Sequence, residues 1–144
     1  MQLWLKNIGA SADRIASKKW YDRGSDEGEF RWHVRFSEAF PGKTMSAGDL
    51  LLYHAFVDGL PEGRLVGVAR VSSDEPIWKP RGNGDQWPWW RGVTPLLIVP
   101  LAGHGPTLKE IGIDTPPMGG YKEIQPRPFN EAVRLLAANA LPKR

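Results

Sequence analysis

Between Asp49 and Leu101 three apolar runs of strand length follow one another with no helical stretch between any two of them. The runs are Asp49 to Phe56, Arg64 to Ser72 and Thr94 to Leu101. Successive parallel strands need crossovers of a dozen or more residues, usually helices, so this order excludes a repeated strand–helix unit. Two further segments belong with the three. Gln2 to Lys6 is short and apolar, and Phe30, Trp32, Val34 and Phe36 alternate with Arg31, His33, Arg35 and Ser37. That period of two predicts a half-buried strand with one aromatic and aliphatic face and one basic, solvent-facing side.

Helices are few. Ile15 with Ala12 and Ala16, after Ser11 as a candidate N-cap, predicts a short helix over 11–19. Thr107 to Ile111 has room for a turn or two. Pro128 to Ala140 carries the clearest helical stripe, Phe129, Val133, Leu136, Ala137 and Ala140, with proline suited to its first turn and Pro142 to stop it. Gly24 to Gly28 is polar and acidic, a loop whose neighbours Asp22, Asp26, Glu27 and Glu29 are expected to be solvated. The sum is an α+β class, one domain over residues 1–144, built on a curved sheet or small β-barrel flanked by helices.

Pro76 to Gly92 stands apart as a long irregular insertion. Long loops in small domains are usually functional or disordered, and its aromatic content argues for order. Seven tryptophans occur in 144 residues, and four of them, Trp78, Trp87, Trp89 and Trp90, fall in this segment. Two of the four, Trp78 and one of the others, are expected to fasten the loop over the core. The rest are left to offer a flat apolar face and an N–H donor to a ligand. Basic residues interleave: Lys79 and Arg81 lie before Trp87-Pro88-Trp89-Trp90-Arg91, and Lys18-Lys19-Trp20 and Arg31-Trp32 repeat the theme. Cations suit phosphates and indole faces suit unstacked bases, so the pattern points to nucleic acid, DNA or RNA. Arg31, Arg35, Lys79, Arg81 and Arg91 are the candidate phosphate contacts. The net charge of +3 permits a polyanionic partner without demanding one.

Catalytic and cofactor motifs are near-misses. Gly42-Lys43-Thr44 ends like a phosphate loop, but Ser37 stands where its first glycine belongs, and Trp87 replaces the last glycine of the pattern begun by Gly82 and Gly84. His33, His54 and His104 are each isolated, so no metal ligand set is predicted, and His54 reads as a packed core residue. There is no cysteine and no nucleophile elbow. The expectation is therefore a binding domain, not an enzyme, with no catalytic residue, no metal and no cofactor. Absence of cysteine fits a reducing cytoplasm, no apolar run is long enough to span a bilayer, and MQLWLKNIGA does not read as a leader.

The order of segments resembles a known family. Leu3-Trp4-Leu5-Lys6-Asn7, then Trp20, Ala47-Gly48-Asp49-Leu50-Leu51-Leu52-Tyr53, Gly67-Val68-Ala69-Arg70-Val71 and Tyr121-Lys122-Glu123-Ile124 before the last helix are similar to the EVE domains of the PUA-like superfamily, relatives of the YTH readers. The resemblance implies a pocket that accepts a modified base between aromatic walls, an aromatic cage. By position it implies Lys6 and Asn7 beside the pocket, Trp20 as the first wall, and Trp87, Trp89 or Trp90 as the second. Asn7 stands where the family has serine, which leaves the favoured base open. Two other readings remain. One is a small hydrolase of nucleosides or amides using Lys6 with Lys43 and Thr44; the other is a protein-interaction module docking through the tryptophan loop.

Overall fold

The computed structural model describes residues 1–10, 12–22, 29–39, 41–117 and 120–140. Seven strands form one mixed sheet, curled into a half-barrel: β1 (Leu3–Gly9), β2 (His33–Phe36), β3 (Leu50–Ala55), β4 (Arg64–Val71), β5 (Ile77–Trp78), β6 (Trp89–Ile98) and β7 (Tyr121–Glu123). Their order across the sheet is β2-β6-β4-β3-β1-β7, with β5 paired to β6 outside that path. One α-helix among the described residues, α1 (Pro126–Ala140), follows β7, and single-turn 3-10 helices lie at Ala102–His104 and Lys109–Ile111. This is the expected α+β class built on a curved sheet, with one long helix among the described residues where several flanking helices were expected.

Curling follows from β6. Its first residues, Trp89 to Gly92, pair with β2, and Val93 to Ile98 pair with β4 across an irregularity at Val68 and Ala69. One long strand thus belongs to two parts of the sheet, as strands do at barrel corners. β1 is the other unusual strand, because it runs parallel to β3 (Leu3 opposite Leu50, Lys6 opposite Tyr53) and antiparallel to β7. The sharp entry to β3 explains the Gly48-Asp49 pair. Gly48 sits at φ +94°, open to glycine at little cost. The buried Asp49 carboxylate accepts from the amides of Gln2 and Ser46, both at 2.9 Å, and from the Trp4 indole at 3.0 Å. Burial alone would raise its pKa, yet these bonds hold it below the ordinary carboxylate value.

Two apolar clusters cover opposite faces of the sheet. Leu5, Leu52, Leu65 and Val68 pack against Phe129, Ala132 and Leu136 of α1, while Trp4, Trp20, Phe36, Tyr53 and Val66 fill the other side. The helix begins two residues before Pro128 and buries Phe129, Ala132 and Leu136, leaving Ala137 exposed; spacing of three and four, not the expected stripe through Ala137, meets the sheet.

Several expectations change here. No helix occupies 12–19: Ile15 is buried in extended backbone, its amide donating to Phe56 O at 3.0 Å and its carbonyl accepting from Asp58 N at 2.9 Å. Non-local pairing outweighs the local helical spacing. Ser11, the expected N-cap, and residues 23–28 lie outside the described residues, so Asp26 and Glu27 do too. Glu29, expected to be solvated, is buried. The alternating segment forms a strand only from His33, and all four residues of β2 are buried, so its basic side does not face water. The insertion is partly regular: β5 pairs with β6, Ile77 opposite Trp90 and Trp78 opposite Trp89.

Candidate nucleic-acid interface

A cavity of about 430 Å³ opens beyond the C-terminal half of β1. Lys6 forms its polar floor. As β1 alternates, Lys6 shares a face with Trp4 and cannot escape to solvent at the strand edge, since β3 and β7 flank it on both sides. Its ammonium donates to Asn7 O at 3.0 Å and lies 4.7 Å from the Phe36 ring centre and 6.0 Å from that of Trp87. Burial lowers its pKa from 10.5 to about 8, with the charge of Glu29 pulling the other way. Phe30 supplies a second aromatic surface in the lining. Its φ of +75° is costly for a residue with a side chain, and its amide is held to His33 O at 2.7 Å.

The outer wall comes from the segment between β5 and β6. Asp85 organises it: its carboxylate accepts from the Arg81 amide at 2.8 Å, the Arg81 guanidinium at 3.0 Å and the Trp87 amide at 2.9 Å. Arg81 holds that carboxyl far below its usual pKa, and the two amides add to the effect. Ion pairs then run from Glu29 to Arg81 at 3.6 Å, from Arg81 to Asp85, and from Asp85 to Arg35 at 3.9 Å. This chain ties the Trp87 segment to the sheet, so the wall is fixed in place before any ligand arrives.

The residues expected at the site divide into two groups. Lys6, Asn7, Trp87, Arg35 and Arg81 do meet around the cavity. Within that group, the Asn7 amide is engaged with the protein, its NH2 reaching Gly9 O at 3.1 Å and His54 O at 3.0 Å in the orientation that satisfies its surroundings. His54 itself is buried, and burial lowers its pKa to about 4. Arg35 is buried and donates to Lys79 O at 2.7 Å, so it braces the wall and does not extend toward solvent. Arg81, with its side chain 38% exposed, is the cation that reaches the rim.

The other group lies elsewhere. Trp20 is not a wall: it is buried, its indole donates to Val99 O at 2.7 Å, and it packs behind Phe30 with ring centres 6.3 Å apart. Arg91 is not a phosphate contact: it is fully buried, with its guanidinium spent on Gly42 O (2.7 Å), Met45 O (2.9 Å) and Ser73 O (2.7 Å). Trp90 stacks on His33 at 5.3 Å with Lys79 over it at 5.5 Å, and Trp89 meets Trp78 edge-on at 5.2 Å. Neither Trp89 nor Trp90 lines the cavity. Trp78, expected to fasten the loop, is 51% exposed. Arg31 is partly exposed, paired with Asp22 at 3.2 Å and set against Tyr21. The sequence reading missed Phe30, Glu29 and Asp85. Of these Phe30 alone had a signal, its place at the head of an alternating aromatic run.

Neither a family model nor a curated protein matches the chain. Solved structures share its fold. A protein of Agrobacterium tumefaciens is similar over 99% of this chain and 100% of its own, at 16% identity and a TM-score of 0.55. A hypothetical protein from Leishmania major is similar over 96% of each chain, at 13% identity and a TM-score of 0.56. The N-terminal domain of McrB from Thermococcus gammatolerans, bound to m5C DNA, aligns over 96% of this chain and 98% of its own at 11% identity. Its TM-score of 0.47 is too low for its ligand to bear on this chain. Among the described residues, no helix is long and apolar enough to cross a membrane.

Proposed function

We propose that this domain binds nucleic acid, DNA or RNA, by taking one unstacked base into the cavity beyond β1, as the likeness of its segments to EVE domains implies. The observation that carries this reading is the Lys6 ammonium, buried between aromatic faces at the floor of a cavity of about 430 Å³. That volume falls within the range of roughly 300–1,000 Å³ in which small-ligand sites lie. Bases removed from a stack are read by apolar faces on both sides and by a few polar groups at their edge. Phe30 and Trp87 supply the faces, Lys6 donates to a carbonyl or ring nitrogen, and Arg81 at the rim meets the phosphate. A methyl group on the base adds about 0.8 kcal/mol of apolar burial, a preference of about fourfold.

The reading is of a binder without catalytic work of its own. Lys43 and Thr44, which a lysine-based hydrolase would pair with Lys6, do not line the cavity. Titration of fluorescein-labelled single strands, with and without a methylated base, tests the reading. Trp87→Ala is expected to weaken binding by about 1–3 kcal/mol, the worth of one base stack, and to erase the methyl preference. Equal affinity of the variant and the parent for every strand would dismiss the cavity as the base site.

The floor lysine carries a stability cost that fits a ligand site. A lysine whose pKa falls from 10.5 to about 8 on folding binds its proton less well in the folded state. Its penalty is complete below pH 8, and stability recovers as pH rises from about 8 toward 10.5. Lys6→Met is therefore expected to stabilise the fold at pH 7 by up to about 3 kcal/mol, at 1.36 kcal/mol per tenfold in proton affinity, the net shift already containing the attraction of Glu29. Urea unfolding at pH 7 and pH 10 reads this directly, because the advantage of the variant shrinks at the higher pH. A less stable variant at pH 7 would show that the ammonium is welcome where it lies.

A further inference from the structure

The segment between β5 and β6 has two sides. Trp87 and Arg81 line the cavity, but the strands at its base present a different surface. Trp78 and its neighbour Ile77 are both about half exposed, an adjacent pair among the exposed large apolar side chains, which also include Trp32 and Leu96. The Trp78 indole is not loose: its strand pairs residue for residue with Trp89, and the Trp89 ring meets it at 76° with centres 5.2 Å apart. Lys43 lies on the same side, its ammonium 5.9 Å from the Trp89 ring centre, whereas Lys79 lies over Trp90, on the face of the ribbon that Trp90 shares with Ile77. The carboxylates of Asp74 and Glu75 are exposed nearby, and with Asp49 they partly offset the burial that lowers the pKa of Arg91.

We propose that Trp78, with Lys43, is a second nucleic-acid contact, a stacking platform for a base of a single strand whose adjoining phosphate lies on the lysine. The proposal rests on the nucleic-acid reading of the cavity for the class of its ligand, and on nothing else from it. A braced indole with one open face suits a flat aromatic partner, and a cation on the same side suits a partner that carries one negative charge for each such ring. Duplex nucleic acid keeps its base faces covered, so the platform selects strands with free bases. Because Arg35 donates both to Lys79 O at 2.7 Å and to Trp87 O at 3.4 Å, platform and cavity wall are parts of one rigid segment.

Fluorescence anisotropy with labelled dodecamers tests this: oligo(dT), oligo(rU), a strand with one methylated base, and a blunt duplex, each at two salt concentrations. Trp78→Ala is expected to weaken every single strand alike, by about fivefold or more, leaving the ratio of methylated to plain affinity unchanged. Trp78→Phe is expected to retain most of the affinity. Lys43→Gln, which removes only a surface charge, is expected to flatten the salt dependence. Unchanged affinity in both Trp78→Ala and Lys43→Gln overturns the platform, even where the methyl preference persists and the cavity reading survives. A Trp78 effect as large on the duplex as on the single strands overturns it too. Trp87→Ala without effect on any strand, with Trp78→Ala still weakening all single strands, would leave the platform supported and dismiss the cavity.

Discussion

Replacing Arg91 with methionine lowers the stability of the fold by about 3–5 kcal/mol, the scale seen when a buried charged group that others depend on is removed. The guanidinium donates to three backbone carbonyls and to the Ser73 hydroxyl at 3.1 Å, and it joins the turn at Gly42–Met45 to the segment that follows β4. Methionine keeps much of the volume and none of the donors, so the carbonyls of Gly42, Met45 and Ser73 are left in a dry site without partners. Lysine is no remedy, because one ammonium cannot reproduce a planar fork that reaches both segments. Urea unfolding followed by tryptophan fluorescence measures the loss. A variant as stable as the parent but weakened in binding DNA or RNA would return Arg91 to the phosphate contacts.

Trp20→Ala produces a loss of similar size, about 3–5 kcal/mol, through a cavity in the core. The indole packs on Phe30 and edge-on to Tyr53, and donates to Val99 O. It also lies against β4 where that strand has no side chain: a Cβ on Gly67 would meet Leu97 O at 2.7 Å and the Trp20 ring at 3.4 Å. No small side chain refills that space. Since Phe30 lines the cavity and Trp20 backs it, binding weakens too, but through a slackened wall. The two measurements separate the roles. Unfolding studies of Trp20→Ala show the large loss, while strands added at low temperature still prefer the methylated base. A variant of full stability that no longer binds any strand would mean that Trp20 touches the base after all.

These two residues mark where sequence patterns stop being informative. Strands β1, β3 and β4 were legible because their apolar runs are buried on both faces, by Trp4 and Tyr53 on one side and Leu5 and Leu52 on the other. Lys6 was legible as a pocket residue only through family resemblance, and Trp87 through the density of tryptophan around it. Arg35, read from alternation, and Arg91, read from the interleaving of basic and aromatic residues, failed as phosphate contacts for a shared reason: a polar side chain faces water only if nothing lies across it. Here the Trp87 segment covers Arg35, and the Gly42–Met45 turn covers Arg91. Both covers come from residues distant in the chain. Ile15 failed likewise, because its partner is Val57, and no window of neighbours contains that pairing.

The place of β1 has a consequence for synthesis. Of the seven described strands this one is made first, yet its two neighbours are β3 and β7, the latter the last of the seven. Contacts that join such distant parts of a chain form slowly. While the ribosome is still making residues 56–120, β1 can rest on β3 alone, with the edge meant for Tyr121–Glu123 unpaired. An open edge of this kind is a template for pairing with other chains. Nascent molecules are therefore most exposed to mispairing just before β7 and α1 emerge, and slower translation across that stretch would lengthen the hazard.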